Sequence, residues 1–426
     1  MLVNFRVENF KSFKDYTEFS MEATKLKNLK ESNTFDVNNV SLLKSAVIYG
    51  ANASGKSSLL DAIERMRSII KDSISVEKMN KYVHQSFLLN SVTEKKETMF
   101  EIEFIIDDFL YRYNFEINLK GVILKEQLFQ KKLQARAREV SLFNRVEQTI
   151  TLGTLFKEGK LIQEKTRENA LFLVVVAQFN GEISEKILNW FNQLNVLSNI
   201  KSDEFKHYSF DMLEEDAFKN KIVDFIKSAD VGIFNITKKK ISFDELKIDE
   251  KELEVLPTFL LDKLKDKGLS TIETQHMQYD EVNNFKKLKS FDLGLESDGT
   301  QKLLALSAPI IDTLVEGSIL VIDELDNSMH TDLVKAIIKL FNSKETNPNN
   351  AQLIFTTHDT NLLDQELFRR DQIWFTQKNI YGITELYSLV EYGKGKARDD
   401  LVLEKNYLEG KFGAKPHINS LVFKVD

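Results

Sequence analysis

The chain has 426 residues and a formal net charge of −7 at pH 7, and 42% of its residues are hydrophobic, so a large buried core with room for up to three domains is expected. It contains no cysteine, which excludes disulfides and thiolate metal sites, and its acidic balance argues against a wholly basic surface for nucleic acid. No apolar run approaches the roughly 20 residues that span a bilayer, and residues 1–10 lack a signal-peptide core. A cytoplasmic protein without a membrane partner is therefore expected.

The first part of the chain alternates between strand and helix patterns. Residues 2–8 alternate apolar and polar side chains, and residues 45–49 form a short apolar run, so both predict strands. An amphipathic helix is predicted from apolar residues at 59, 60, 63, 66 and 69. Two runs in residues 98–119, separated by an Asp-Asp pair, predict a hairpin.

The segment between the strand at 45–49 and the following helix reads Gly-Ala-Asn-Ala-Ser-Gly-Lys-Ser. This Gly-x-x-x-x-Gly-Lys-Ser pattern, with a strand before it and a helix after it, is typical of a phosphate-binding loop. Its glycines let backbone N–H groups converge on phosphate oxygens, and the helix adds its positive amino-terminal end. Lys56 is expected to reach the β- and γ-phosphates of ATP, and Ser57 to ligate Mg²⁺. The predicted nucleotide-binding residues here are Gly50, Asn52, Ala53, Ser54, Gly55, Lys56, Ser57 and Ser58. The alternative is a chance glycine turn before a surface helix, but the flanking strand and helix favour nucleotide binding.

The middle of the chain is harder to assign. Strand patterns occur near residue 142 and at 150–152, and helical patterns occur over 166–199 and 218–226. Residues 238–289 are charged and lack sustained heptads, so no long coiled-coil arm is expected. Basic clusters at 238–240 and 286–289 have acidic residues nearby, so both are predicted to be solvated faces, with a nucleic-acid contact left open.

Regular patterns return after residue 291. A helix is predicted over 301–315, followed by the fully apolar run 319–322 that is typical of a buried parallel strand. A helix over 331–341 then leads to a second apolar strand at 353–356. Two further strands are predicted at 372–375 and 384–389.

Acidic residues stand directly at the end of the strand at 319–322. An acid in that position beside a phosphate loop can hold Mg²⁺, and a second carboxylate can orient the attacking water. Asp323 is therefore predicted to be the metal residue and Glu324 the general base. The alternative is that the two acids only cap the strand, but the phosphate loop upstream favours the catalytic interpretation. His358 follows the strand at 353–356, and we expect it to face the γ-phosphate rather than serve as a structural histidine.

A third polar segment, Glu-Ser-Asp-Gly-Thr-Gln at 296–301, precedes the predicted helix at 301–315. Read alone, it is either an ordinary helix N-cap or an anion-binding turn. Together with the phosphate loop, the acids at 323–324, the turn at 325–330 and His358, it follows the motif order of an ABC-type ATPase head. The chain resembles the RecF/SMC/OLD branch of these heads, and within it the AAA-type ATPases of bacterial phage defence that are RloA-like or AbiLi-like. Residues 7–13, 370–375 and 407–416 add to the resemblance.

The resemblance implies an α/β fold, namely a P-loop NTPase of the ABC type with a mixed β-sheet core, an antiparallel β-lobe and a mainly helical insertion. The implied domains are a discontinuous ATPase core at 1–80 and 291–390, a β-rich lobe with the glutamine loop at 81–160, a mainly helical insertion at 161–290, and a tail packed on the head at 391–426.

The resemblance also assigns residues and partners. Ser297 and Gly299 are implied to bind the γ-phosphate of ATP held by the opposite subunit in a head-to-head dimer or higher oligomer, although Ser-Asp-Gly-Thr departs from the usual Ser-Gly-Gly-Gln. Gln85 is the predicted Mg²⁺-contacting glutamine. The chain after His358 is too short for the nuclease domain of OLD-type proteins, so a separate effector such as a nuclease or toxin is expected.

The implied function is an ATP-hydrolysing dimeric switch in phage defence. Three alternatives remain open on the sequence. The chain could be a RecF-like DNA-repair ATPase, the ATPase subunit of an ABC transporter, or a regulatory protein that binds ATP without hydrolysing it.

Overall fold

The computed structural model describes residues 1–79, 85–197, 203–229, 232–241, 243, 269–392 and 402–415. They belong to two compact units. The larger comprises Met1–Asn199, Thr313–Asp326 and Val334–Asp426, and the smaller comprises Ile200–Asp312 and Asn327–Leu333.

Strands and helices are numbered here in chain order over the described residues. The strands are β1 (Leu2–Glu8), β2 (Thr17–Ser20), β3 (Thr34–Val37), β4 (Val40–Leu43), β5 (Ser45–Gly50), β6 (Thr98–Ile106), β7 (Phe109–Ile117), β8 (Ile123–Lys132), β9 (Val140–Val146), β10 (Thr149–Leu152), β11 (Leu194–Leu197), β12 (Asn235–Ile241), β13 (Leu269–Tyr279), β14 (Phe285–Asp292), β15 (Ile319–Ile322), β16 (Gln352–Thr356), β17 (Ile373–Lys378) and β18 (Thr384–Ser388). The helices are α1 (Lys30–Asn33), α2 (Lys56–Asp72), α3 (Val76–Met79), α4 (Phe172–Gln178), α5 (Glu182–Asn192), α6 (Asp203–Met212), α7 (Asp216–Ser228), α8 (Asp298–Glu316), α9 (Thr331–Asn342), α10 (Leu389–Tyr392) and α11 (Leu403–Leu408).

A mixed six-stranded sheet forms the centre of the larger unit, with strand order β11-β15-β16-β5-β17-β18. The first five strands are parallel and β18 is antiparallel to β17. Every residue of β5, β15 and β16 is buried, as expected of parallel strands covered on both faces. Because neighbouring parallel strands end at the same edge, the residues that follow β5, β15 and β16 come together there. The predicted α/β class with a mixed core sheet is confirmed.

The larger unit also contains an antiparallel sheet of seven strands in the order β10-β9-β8-β7-β6-β1-β2. The apolar side chains of its inner face join those of α2 in one continuous hydrophobic core. Phe104 of β6, for example, stacks on Trp190 of α5 with ring centroids 4.2 Å apart. The expected antiparallel β-lobe is therefore present, and β1 and β2 from the start of the chain belong to its sheet.

A buried ion pair joins this sheet to α4. The side chains of Arg145 and Glu126 are fully buried and lie 3.5 Å apart. Arg145 also donates to the carbonyl oxygen of Ala170 at 2.6 Å. Glu126 accepts from the Tyr113 hydroxyl at 2.9 Å and from the backbone N–H of Phe172 at 2.6 Å, at the start of α4. Burial raises the pKa of Glu126, and the charge of Arg145 opposes that shift.

The smaller unit contains strands as well as helices, and it overlaps the mainly helical insertion expected for residues 161–290, of which 198–202, 230–231, 242 and 244–268 lie outside the described residues. It contains α6 and α7, but residues 235–241 and 269–292 form a three-stranded antiparallel sheet of β12, β13 and β14. Every residue of β14 is exposed, so this strand lacks the alternation of buried and exposed side chains by which a strand is recognised. The expected domain boundaries remain a prediction.

Two lysines of the basic cluster at 238–240 pair with nearby acids. Lys238 lies 2.7 Å from Glu214 and 3.5 Å from Asp211, and Lys239 lies 3.0 Å from Glu273. This pairing is what a solvated face predicts. In the part of the chain that the structure describes, no helix is long and apolar enough to cross a membrane.

Candidate active site

The loop between β5 and α2 is held in a tight conformation by the two strands beside it. Gly55 has a φ of 114°, which glycine adopts readily, and a Cβ atom there would lie 2.4 Å from Thr384 Oγ1. Ala53 also has a positive φ of 61°. Ser54 Oγ lies 2.6 Å from Thr376 Oγ1, and the Thr384 hydroxyl donates to the Ser54 carbonyl oxygen at 2.8 Å. The threonines of β17 and β18 thus brace the predicted phosphate loop.

Lys56 is buried and points back over its own loop. Its ammonium donates to the carbonyl oxygens of Gly50 at 2.8 Å and Ala51 at 3.2 Å. Burial lowers the pKa of Lys56 to about 8, opposed by nearby negative charge from Asp323, Glu324 and Asp326. Phosphate oxygens are stronger acceptors than carbonyl oxygens, so a nucleotide can replace these two contacts.

The two acids after β15 are held by a threonine at the end of β16. The Thr356 hydroxyl donates to Asp323 Oδ1 at 2.6 Å and accepts from the Glu324 backbone N–H at 2.7 Å. Glu324 has a φ of 51°, an uncommon conformation for a non-glycine residue that is often found at functional sites. The sequence analysis did not single out Thr356, although it stands two residues before His358.

His358 and Glu324 lie next to each other, as their positions after neighbouring strands predict. His358 Nε2 is 3.7 Å from Glu324 Oε1, and both side chains are partly exposed. The His358 backbone N–H donates to Asp326 Oδ2 at 3.2 Å. Asp326 Oδ1 is buried without a hydrogen-bond partner among the described residues. Asp326 thus helps to position the loop that carries His358. This positioning role, like that of Thr356, was not predicted from the sequence.

The donor set suits Mg²⁺ bound together with phosphate. Ser57 is exposed and Asp323 is partly exposed, and they offer a hydroxyl and a carboxylate, the oxygen ligands that Mg²⁺ prefers. Within the described ranges, no group of three or more histidine, aspartate or glutamate side chains could hold a metal ion by itself. Phosphate oxygens and water would have to complete the coordination, which is how Mg²⁺ is commonly held in nucleotide sites.

Gln85 lies away from the first turn of α2. Its side chain lines a small cavity with Arg65 and Ile69, and its backbone carbonyl accepts from the Lys11 N–H at 2.5 Å. Arg65 follows Ser57 by eight residues, about 12 Å along a helix axis. Gln85 Oε1 is buried with no hydrogen-bond partner in the described structure. The Mg²⁺-contacting role of Gln85 stays a prediction.

Ser297 and Gly299 belong to the smaller unit. Ser297 is exposed, and its hydroxyl accepts from the Thr300 backbone N–H at 3.2 Å as an N-cap of α8. A Cβ atom on Gly299 would lie 2.4 Å from the Ser328 carbonyl oxygen, so only glycine allows this close approach. The implied role of Ser297 and Gly299 toward a second subunit stays a prediction.

Comparison with known proteins identifies the family. Residues 45–364 match the family described as "AAA domain, putative AbiEii toxin, Type IV TA system". The chain belongs to this family. It is also 22% identical over 378 residues to a Vibrio cholerae serotype O1 biovar El Tor protein named "Retron Vc95 probable ATPase", with 78% of this chain and 70% of that protein covered.

Two solved structures are similar at low sequence identity. One is an SMC head bound to the C-terminal winged-helix domain of ScpA, with 12% identity, a TM-score of 0.46, and coverage of 91% of this chain and 97% of that one. The other is the SMC head domain from Thermotoga maritima, with 13% identity, a TM-score of 0.36, and coverage of 91% and 98%. The family and the retron relative confirm the predicted resemblance to AAA-type ATPases with defence-type relatives.

Proposed function

We propose that this protein binds and hydrolyses ATP and acts as a dimeric switch. The observation that carries the proposal is the meeting of three segments at one edge of the core sheet. The phosphate loop follows β5, Asp323 and Glu324 follow β15, and His358 follows β16, which lies between them in the sheet. In this arrangement a cation, backbone N–H groups, carboxylates and an imidazole lie at the same edge of the sheet, and phosphoryl transfer to water uses groups of these kinds.

Each side chain then has a defined task. Lys56 and the loop N–H groups hold the β- and γ-phosphates. Glu324 accepts the proton of the attacking water, and His358 beside it stabilises the terminal phosphate. Ser57 and Asp323 would hold Mg²⁺, which would offset the negative charge of the phosphates. Thr356 positions both acids because it bonds the side chain of one and the backbone of the other.

We further propose that a second copy completes the pocket. Ser297 is exposed at the start of α8, where backbone N–H groups are available to an anion. The implied head-to-head dimer would place Ser297 and Gly299 of one copy against ATP held by the other, so that hydrolysis releases the two copies.

Phosphate release from Mg²⁺-ATP by the purified protein tests the activity. Lys56→Ala should abolish turnover, because it removes the cation that binds the phosphates. Glu324→Gln should retain ATP without hydrolysing it and accumulate a dimer in size-exclusion chromatography. Glu345→Gln, which changes an exposed acid outside the site, should behave like the wild type. Absence of hydrolysis by the wild type would refute the activity, and a Glu324→Gln protein that stays monomeric with ATP would refute the dimeric switch.

The names of the relatives support a proposal for the cellular role. One is named as a retron ATPase and the family description refers to a toxin–antitoxin system, so we propose that this chain acts in the cytoplasm in phage defence, with a separate effector such as a nuclease or toxin. Cells that carry the gene and its neighbours should resist phage, and Lys56→Ala should remove that resistance. Tight duplex-DNA binding with a steep salt dependence, together with unchanged phage resistance in the Lys56→Ala strain, would favour a RecF-like repair ATPase instead.

A further inference from the structure

A cavity of about 750 Å³ opens beside the first half of the phosphate loop. The loop forms one wall, and the end of β17 and the carboxy-terminal segment (residues 402–415) form others. Among the lining residues that the structure describes, three side chains can carry positive charge and none is a carboxylate. The three are His358, Lys378 and Lys415.

The carboxy-terminal segment is held against β17 by specific contacts. Tyr407 is buried and stacks on Phe375 of β17, with ring centroids 5.6 Å apart and planes 17° apart. Its hydroxyl donates to the Ala414 carbonyl oxygen at 3.2 Å. The Ala414 N–H donates to Gln377 Oε1, also on β17, at 3.1 Å. These contacts fix residues 407–414 against the strand next to β5.

The same segment contacts the loop that carries His358. The Thr360 hydroxyl donates to Glu404 Oε1 at 3.3 Å. Tyr49 of β5 packs on Tyr407 with ring centroids 6.0 Å apart and donates to the Asp359 carbonyl oxygen at 3.3 Å. The cavity therefore has the loop that carries His358 as one of its walls, and His358 is the side chain expected to face the terminal phosphate.

We propose that Lys378 and Lys415 bind the terminal phosphate of the nucleotide and so extend the phosphate site onto the carboxy-terminal segment. This inference rests on the proposed ATP site. Both lysines are exposed at the cavity, and the Lys415 ammonium donates to the Leu408 carbonyl oxygen at 2.6 Å, which keeps it at the rim. A phosphate is a stronger acceptor for this group than a carbonyl oxygen. A nucleoside diphosphate lacks the phosphate that would reach these lysines, so the pair selects the triphosphate.

Calorimetric titration with Mg²⁺-ATP and Mg²⁺-ADP tests the inference in the Glu324→Gln protein, where ATP is not consumed. Lys378→Met and Lys415→Met should each weaken ATP binding about tenfold, the loss expected for one hydrogen bond to a charged group, and leave ADP binding unchanged. Lys411→Met is the matched control, because Lys411 lies in the same segment but pairs with Glu409 at 2.6 Å and does not line the cavity. It should bind both nucleotides like the parent protein.

Two results would overturn the inference while leaving the proposed function intact. One is ATP affinity unchanged in both lysine variants, and the other is an equal loss of ATP and ADP affinity. If the parent protein bound neither nucleotide, the proposed function would fail and this inference with it. Because both lysines are exposed, the variants should unfold at the parent's temperature, which a thermal melt checks.

Discussion

Replacing Thr356 with valine should remove the two hydrogen bonds that hold Asp323 and Glu324 against the end of β16. Thr356 is fully buried, and valine has nearly its shape but no hydroxyl. The change would remove the 2.6 Å bond to Asp323 Oδ1 and the 2.7 Å bond from the Glu324 N–H. Glu324 would then lose a contact that holds its positive φ.

The size of the effect follows from these two bonds. A hydrogen bond to a charged group contributes about 1.5–3 kcal/mol and a neutral one about 0.5–1.5 kcal/mol. Asp323 and Glu324 are partly exposed, so water can replace part of what is lost, and we expect a loss of about 2 kcal/mol in the free energy of unfolding. If misplacement of Glu324 adds a similar amount to the activation barrier, turnover falls roughly thirtyfold, since 1.4 kcal/mol corresponds to a factor of ten.

Urea unfolding and steady-state ATP hydrolysis at saturating ATP measure the two effects. Thr356→Ser keeps the hydroxyl and should retain most of the activity. Thr313→Val is a second control, because Thr313 is also buried but its hydroxyl has no hydrogen-bond partner among the described residues. It should be neutral or stabilising. Wild-type turnover in Thr356→Val, or equal losses in the valine and serine variants, would show that Thr356 does not position the acids.

Three further changes probe the larger unit. Lys44→Met should raise the free energy of unfolding by about 1–2 kcal/mol, because the Lys44 ammonium is buried with no hydrogen-bond partner in the described structure. Burial lowers the pKa of Lys44 from 10.5 to about 8. Between these pH values the unfolded chain binds more protons than the folded one, so the free energy of unfolding of the wild type should rise with pH. Urea titrations across this pH range should show a smaller rise in Lys44→Met. Arg145→Met should lower the free energy of unfolding by about 3–5 kcal/mol in urea titration, because it leaves the Glu126 carboxyl buried without its partner. Gly55→Ala should abolish ATP binding in calorimetry, because the added Cβ meets Thr384 Oγ1 at 2.4 Å.

The central part of the fold could be predicted because its strands are buried on both faces. The runs predicted at 45–49, 319–322 and 353–356 correspond to β5, β15 and β16. An apolar run of only four or five residues is too short for a core helix, so its length favours a buried strand. Once these strands are parallel neighbours, the phosphate loop, the acids and His358 must meet at one edge. Their proximity could thus be predicted without knowing the register.

Other features depend on information that a local pattern does not carry. β11 directly follows the helical pattern of α5 and has only four residues, so its sequence predicts a continuation of that helix. β14 is exposed along its whole length, and a strand exposed on both faces has no alternation to detect. The bracing by Thr376 and Thr384 depends on the order of β5, β17 and β18 in the sheet, which the order of these strands along the chain does not reveal.

The charged groups around the predicted phosphate loop form two sets, the acids at 323–326 and the cations that line the cavity. On one side, Asp323, Glu324 and Asp326 act on Lys56 strongly enough to oppose the effect of its burial. Even so, the Lys56 ammonium donates to the carbonyl oxygens of Gly50 and Ala51 in its own loop. Gly50 and Ala51 also line the cavity whose other lining residues include Lys378, Lys415 and His358. A polyanion that entered there would meet cations first, and its terminal phosphate would come between them and Glu324, where a water must be deprotonated.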